Sequence, residues 1–195
     1  MEKKDRDAIR QLFPTIEKIK SADLQEKVIA TWYHAWKRSN FPGIEVLHQF
    51  EPARARIAYT NVEHTNQVCL ACDRTAEMLT EILGQDINRE DLMAGAILHD
   101  VDKIVIFDFK TGGFTSTGRR FAHAVMGASM ALMEGLPESV AHIIGAHSFR
   151  FSPTPPHTVE ALILRHLDHV TAQTYYFARG LDMERVLAES LASLK

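Results

Sequence analysis

The sequence predicts an all-α, single-domain helical bundle, and three features carry that expectation. Apolar residues recur at helical spacing in almost every segment, as in Leu24, Val28, Trp32 and Ala35, with Ile29 and Trp36 widening the same stripe. One stretch alone, KIVIFDFKTGGFTSTGRR at 103–120, is clearly non-helical in pattern, a short β-like run followed by a Gly/Thr/Ser loop. No internal repeat, low-complexity tract or linker divides the 195 residues, so one domain is expected over 1–195, with residues 1–50 packed as an outer layer.

Taken in order, residues 5–20 and 22–38 are expected helices. Pro14 kinks or breaks the first, because it removes a backbone donor and crowds the preceding turn. FPGIEVLHQFEPARARIAYT follows as a loop-rich connection holding Pro42, Gly43 and Pro52. A longer helix is expected over 62–83 and stops at Gly84. Asn88 is a candidate N-cap, with Asp91 three residues on, for a helix that ends near Asp102. Beyond 103–120, helices are expected over about 121–134, 137–147, 156–178 and 181–194; Pro155 and Pro156 suit a start and Gly180 a stop.

Composition narrows the function classes. A net charge of -3 with His neutral gives no overall basic excess for a nucleic-acid polymer or an anionic membrane. MEKKDRDAIR lacks the apolar region of a secretory signal. No apolar run approaches the ~18 residues that span a bilayer. Two cysteines, Cys69 and Cys72, cannot build a disulfide framework, and a cytoplasmic setting is expected. Their C-x-x-C spacing falls mid-helix with no second pair, which favours buried thiols over zinc or redox chemistry. Histidine is abundant, at ten residues, so position has to decide what it means.

Several expected helices each direct a His or an Asp inward. His64 begins the face of Val68, Cys72, Thr75, Leu79 and Ile82. Asp100 continues the stripe of Met93, Ala96 and Ile97, beside His99 and three residues before Lys103. His123 aligns with Gly127 and Met130, His147 ends VAHIIGAH, and Asp168 interrupts the stripe of Ala161, Leu164, Ala172 and Tyr175. Buried charges need partners, and a shared cation satisfies several at once. Imidazole and carboxylate together suit Fe, Mn, Co, Ni or Zn better than Mg or Ca.

In that order, NVEHTNQVCLA, AGAILHDVDK, HAVMGASMA, IIGAHSF and ILRHLDHVTA resemble the HD-domain superfamily of metal-dependent phosphohydrolases. The resemblance covers roughly 60–175 and makes the expected bundle one of the HD-domain type. It implies that His64, His99, Asp100 and Asp168 hold a first divalent transition metal ion. Asp100 would bridge to a second, completed by His123 and His147. The implied chemistry is metal-activated attack of water on a small phosphorylated substrate: a nucleotide, a phosphomonoester or a cyclic phosphodiester. Asp100 and Lys103 are the implied catalytic residues. Lys103, Arg119 and Arg120 are candidates for phosphate contact.

The chain also departs from family patterns. Asp102 stands where the family often has Gly before the Lys, which changes the charge of the pocket. The Gly-Tyr-Pro signature of the cyclic-di-GMP branch is absent. A second class sharing these ligands holds mixed-valent di-iron and uses O₂. Its phosphonate-cleaving branch carries a Tyr and a Glu where this chain has Arg54 and Ile57. A third class, a non-catalytic binding or signalling module, would be expected to have lost ligands that are all present here. His142 is expected to be peripheral, and His166 and His169 flank Asp168 without an assigned task.

Overall fold

The computed structural model describes residues 1–194. Its helices are α1 Lys3–Leu12, α2 Ala22–Lys37, α3 Asn61–Leu83, α4 Arg89–Leu98, α5 Lys103–Ile106, α6 Ser116–Arg120, α7 His123–Met133, α8 Glu138–Ala146, α9 Val159–Phe177 and α10 Met183–Ala192. Extended pairing among the described residues amounts to two isolated antiparallel bridges, His48 with Thr60 and Phe107 with Phe114. The architecture is all-α.

Helix α4 is the centre. Every residue from Leu92 to Leu98 is buried, so it has no polar face to show to water, and α2, α3, α8 and α9 pack around it. Asn88 caps its start, its side chain accepting from the Asp91 N–H at 3.1 Å. Gly95 lets α8 approach, since a Cβ there would collide with Ile143. The helix stops at Leu98 rather than near Asp102. Trp32, fully buried on α2, donates its indole N–H to the Ile97 carbonyl at 3.0 Å, satisfying an acceptor that the ended helix leaves free. His99 and Asp100 therefore sit in a tight turn.

The N-terminal segment breaks at Pro14, which opens a 3-10 turn over Pro14–Lys18 in place of one helix over 5–20. Phe13 stacks on Trp32 at 4.8 Å, and Ile9, Ile16 and Ile19 are buried with it. The connection from 38 to 59 folds inward through Phe41, Leu47 and Phe50.

The expectation of a wholly non-helical 103–120 is corrected. Ile104 and Ile106 are buried on the single turn of α5, so tertiary packing overrides the β-like preference of a branched run. Thr115 caps α6 by accepting from the Gly118 N–H at 3.1 Å. Helix α9 likewise starts at Val159 under a Thr158 cap, leaving Pro155 and Pro156 in the preceding loop. Helix α10 packs back on α9 and on the turn Glu51–Ala53. Among the described residues no helix is long and apolar enough to cross a membrane.

Candidate metal centre

Helix ends converge on one point. The Thr60–Glu63 capping box fixes the start of α3 and with it His64 in the first turn. His99 and Asp100 follow the end of α4, His123 opens α7, and His147 is the C-cap of α8. Asp168 comes from the middle of α9. His64, His99, Asp100 and His147 are all 1% exposed or less.

Each imidazole has its outer nitrogen spoken for. The His99 Nδ1–H donates to the Ala96 carbonyl at 2.8 Å, and the His147 Nδ1–H to the Ile144 carbonyl at 2.6 Å. The His123 Nδ1–H donates to Asp102, 2.8 Å from Oδ1 and 2.9 Å from Oδ2. The Tyr59 O–H donates to Gln67 Oε1 at 2.7 Å, so its oxygen accepts from His64 Nδ1 at 3.3 Å. Burial, and then Tyr175 beside it, push the Tyr59 phenol above its ordinary value and keep that proton in place. With Nδ1 protonated throughout, each ring in its neutral form presents its Nε2 lone pair inward.

Those lone pairs meet in two facing couples. His64 Nε2 lies 3.2 Å from His99 Nε2, and His123 Nε2 lies 3.2 Å from His147 Nε2. Facing acceptors repel unless a cation lies between them. Nitrogens about 2.1 Å from a first-row ion and 3.2 Å apart subtend about 100° at it, within the range of tetrahedral and octahedral centres. Asp100 joins the couples. Its Oδ2 lies 3.3 Å from His99 Nε2 and 3.7 Å from His64 Nε2, while its Oδ1 lies 3.0 Å from His123 Nε2 and 3.9 Å from His147 Nε2. Asp168 Oδ1, 2.9 Å from His64 Nε2 and 3.6 Å from His99 Nε2, belongs with the first couple. The residues fit divalent metal binding: two clusters of donors, His64–His99–Asp100 and Asp100–His123–His147, share one carboxylate.

Lys103 and Asn61 brace that carboxylate. Lys103 Nζ donates to Asp100 Oδ2 at 2.6 Å and to the Gln49 carbonyl at 2.7 Å, and Asn61 Nδ2 donates to the same Oδ2 at 3.1 Å. Burial opposes the charge on Asp100, yet Lys103 and the surrounding imidazoles hold its carboxyl well below the usual range. With protons as the only cations, each couple divides its roles. Burial lowers His64, and burial with His123 alongside lowers His147 to about 3. Burial also works against His99 and His123, but Asp100, Asp168 and the Ala96 carbonyl together raise His99, and Asp102 and Asp100 together raise His123 to about 9. Without a metal, His123 therefore keeps its second proton at neutral pH.

The clusters open onto a cavity of about 500 Å³. Phe50, Phe107, Phe114, Phe121, Phe149 and Phe151 line it, with Met183, Leu187 and Leu191 from α10. Lys103 lines it, whereas Arg119 and Arg120, the other expected phosphate contacts, stand outside its wall beside the lining residues Gly118 and Phe121. The Thr115 cap turns Arg119 back onto the Phe114 carbonyl at 2.6 Å, and both arginines are exposed. The arginine on the cavity wall is Arg150, paired with Glu184 of α10. Arg165 holds that wall from behind, donating to the Ala146 carbonyl at 3.0 Å and lying over the Phe149 ring.

The remaining histidines separate cleanly. His142 lies away from the clusters and accepts from the His157 N–H at 3.0 Å. His166 and His169 both lie edge-on to Phe149, and of the two His169 lines the cavity. Cys69 and Cys72 are buried, and burial raises both thiols, Cys69 to about 12, so neither is a ready thiolate. Sequence reasoning did not find Tyr59, Gln67 or Asn61 as braces of the centre. The placement of Tyr59 and Asn61 on either side of the Thr60 N-cap, within five residues of His64, is the signal that marks them.

Comparison with known proteins agrees with this geometry. The family model described as HD domain matches residues 62–173. The chain is also similar to the dihydroneopterin 2',3'-cyclic phosphate phosphodiesterase of Methanocaldococcus jannaschii, 28% identical over 174 residues that cover 85% of this chain and 69% of that protein. No solved structure matches. Clustered imidazoles, a shared aspartate and a match over more than half the chain lead to one assignment: the chain belongs to the HD domain family and is a metal-dependent phosphohydrolase.

Proposed function

We propose that this enzyme hydrolyses a small phosphate ester at a dinuclear centre. His64, His99, Asp100 and Asp168 would hold one ion, and Asp100, His123 and His147 the other. The observation that carries the reading is the Asp100 carboxylate, with one oxygen turned to each facing pair of Nε2 atoms. Two divalent ions from among Fe, Mn, Co, Ni and Zn would supply there a water of lowered pKa and neutralisation of charge on the phosphoryl group. The protein's part is to keep the centre dry and Asp100 ionised. Lys103 serves the second task with one ammonium proton and donates another to the Gln49 carbonyl, which leaves one donor for a phosphate oxygen at the cavity it lines.

The cavity supports a substrate class. Its volume suits a nucleoside-sized body, and six phenylalanine rings favour a flat heterocycle over a sugar. Both of its lysine and arginine side chains, Lys103 and Arg150, are already paired with carboxylates. A triphosphate would find too little positive charge there, whereas a singly charged diester needs little beyond the metals. The name of the archaeal relative, a cyclic phosphate diesterase acting on a pterin, supports the same choice. The reading is therefore a phosphodiesterase or monoesterase for a small ester on an aromatic ring system, a cyclic phosphate foremost.

The test is elemental analysis of protein purified without added metal and without oxygen, followed by assay on 2',3'-cyclic nucleotides, dihydroneopterin 2',3'-cyclic phosphate and nucleoside triphosphates. Near two first-row ions per chain and turnover of a cyclic ester are expected. Turnover of triphosphates alone would refute the substrate class. Iron with a mixed-valence spin signal and no ester hydrolysis would refute the reaction and favour the oxygen-using class.

A further inference from the structure

Asp102 is fully buried, and its side chain makes no capping bond although it occupies the N-cap position of α5. Its polar contact is with one group: both oxygens lie within 2.9 Å of His123 Nδ1. Space for that carboxylate comes from Gly127, one turn along α7 from His123, where a Cβ would stand 3.3 Å from Asp102 Oδ1 and 3.1 Å from Ile144 Cγ2. The other three imidazoles donate their Nδ1–H to neutral oxygens, those of Tyr59, Ala96 and Ile144. The second couple is thus the one backed by a charge.

The two clusters differ in charge. The first cluster has Asp168 beside it as well as Asp100 Oδ2. The second has Asp100 Oδ1 alone, from a carboxylate whose other oxygen is already paired with Lys103 at 2.6 Å. Two neutral imidazoles and a share of one neutralised carboxylate make a weak site for a dication. A carboxylate behind a ligating imidazole fixes the ring's orientation and makes it a stronger donor.

On the dinuclear reading, we propose that Asp102 is the positioning residue of the second cation, supplying through His123 the charge and ring orientation that let this site fill. The substitution Asp102→Asn keeps the size and removes the charge. Titration of the metal-stripped protein with Co²⁺ against a competing chelator is expected to show two binding steps in the wild type. In the variant the weaker step should fall by about 10- to 100-fold, while the tighter step changes less than threefold. Should Asp102→Asn not fold, Asp102→Gly removes the buried carboxylate altogether and is expected to give the same split. Two unchanged steps in the variant would overturn the inference, as would equal weakening of both, which marks a general loss of packing. A wild type that binds fewer than two ions would instead overturn the dinuclear reading itself.

Discussion

Replacing Asp100 by Asn preserves the size of the side chain and removes the charge that both clusters share, so metal content and activity should fall together. A loss in kcat of more than about a hundredfold, with metal stoichiometry well below that of the wild type, is expected. An Asp100→Asn or Asp100→Ala protein that kept two ions would refute the bridging role. His123 gives a second residue-scale test. Its metal-free value near 9 lies above that of an ordinary imidazole, so filling the second site at pH 7.5 should release about one proton per chain. Calorimetry in two buffers of different ionisation heat measures this directly. The sign for stability follows from the same shift. A histidine raised on folding stabilises fully below its unfolded value of about 6.5, and that contribution is lost as pH rises through about 9. The urea midpoint of the metal-free protein should therefore decline across that window, and less so in Asp102→Asn.

At the scale of elements, the centre is built from helix ends, and the caps carry its precision. Thr60→Ala removes one half of the capping box and should cost about 1 kcal/mol in urea denaturation. Trp32→Phe leaves the Ile97 carbonyl without its donor and should cost about 1–3 kcal/mol. The same distinction between helix bodies and helix ends explains what could be foreseen. His64, His123 and Asp168 were legible because each breaks an apolar stripe at helical spacing, which needs only the sequence of its own helix. The stop of α4 at Leu98 was not, because the indole that meets its freed Ile97 carbonyl comes from α2, far away in sequence. Helices α5 and α6 were hidden by a branched run whose burial only the fold determines. Arg119 and Arg120 were expected at phosphate because they precede His123, whereas the bond of Arg119 to the Phe114 carbonyl depends on a loop conformation that the sequence does not display. Asp102 was visible as a departure from a familiar pattern, but its partner stands 21 residues away.

For the whole molecule, chemistry and recognition are held by different parts. The side chains proposed to hold the ions come from α3, α7, α9 and the residues that follow α4 and α8, while the outer wall of the cavity comes from the 148–151 loop and α10. Phe149→Ala or Phe151→Ala should thus raise KM for an aromatic ester on the order of tenfold with a smaller change in kcat. Steady-state kinetics on a cyclic nucleotide checks this, and an equal fall in kcat would mean that the wall also orders the reacting groups. The Trp32 bond has one more consequence. Its indole is fully buried, stacked on Phe13 and bonded two residues before His99, whereas Trp36, the other tryptophan, lies beneath the Lys37 ammonium and bonds to the Phe41 carbonyl. In a Trp36→Phe background the emission of a single fluorophore would follow the end of α4, so that ion loading of the neighbouring turn could be watched in real time without any added dye.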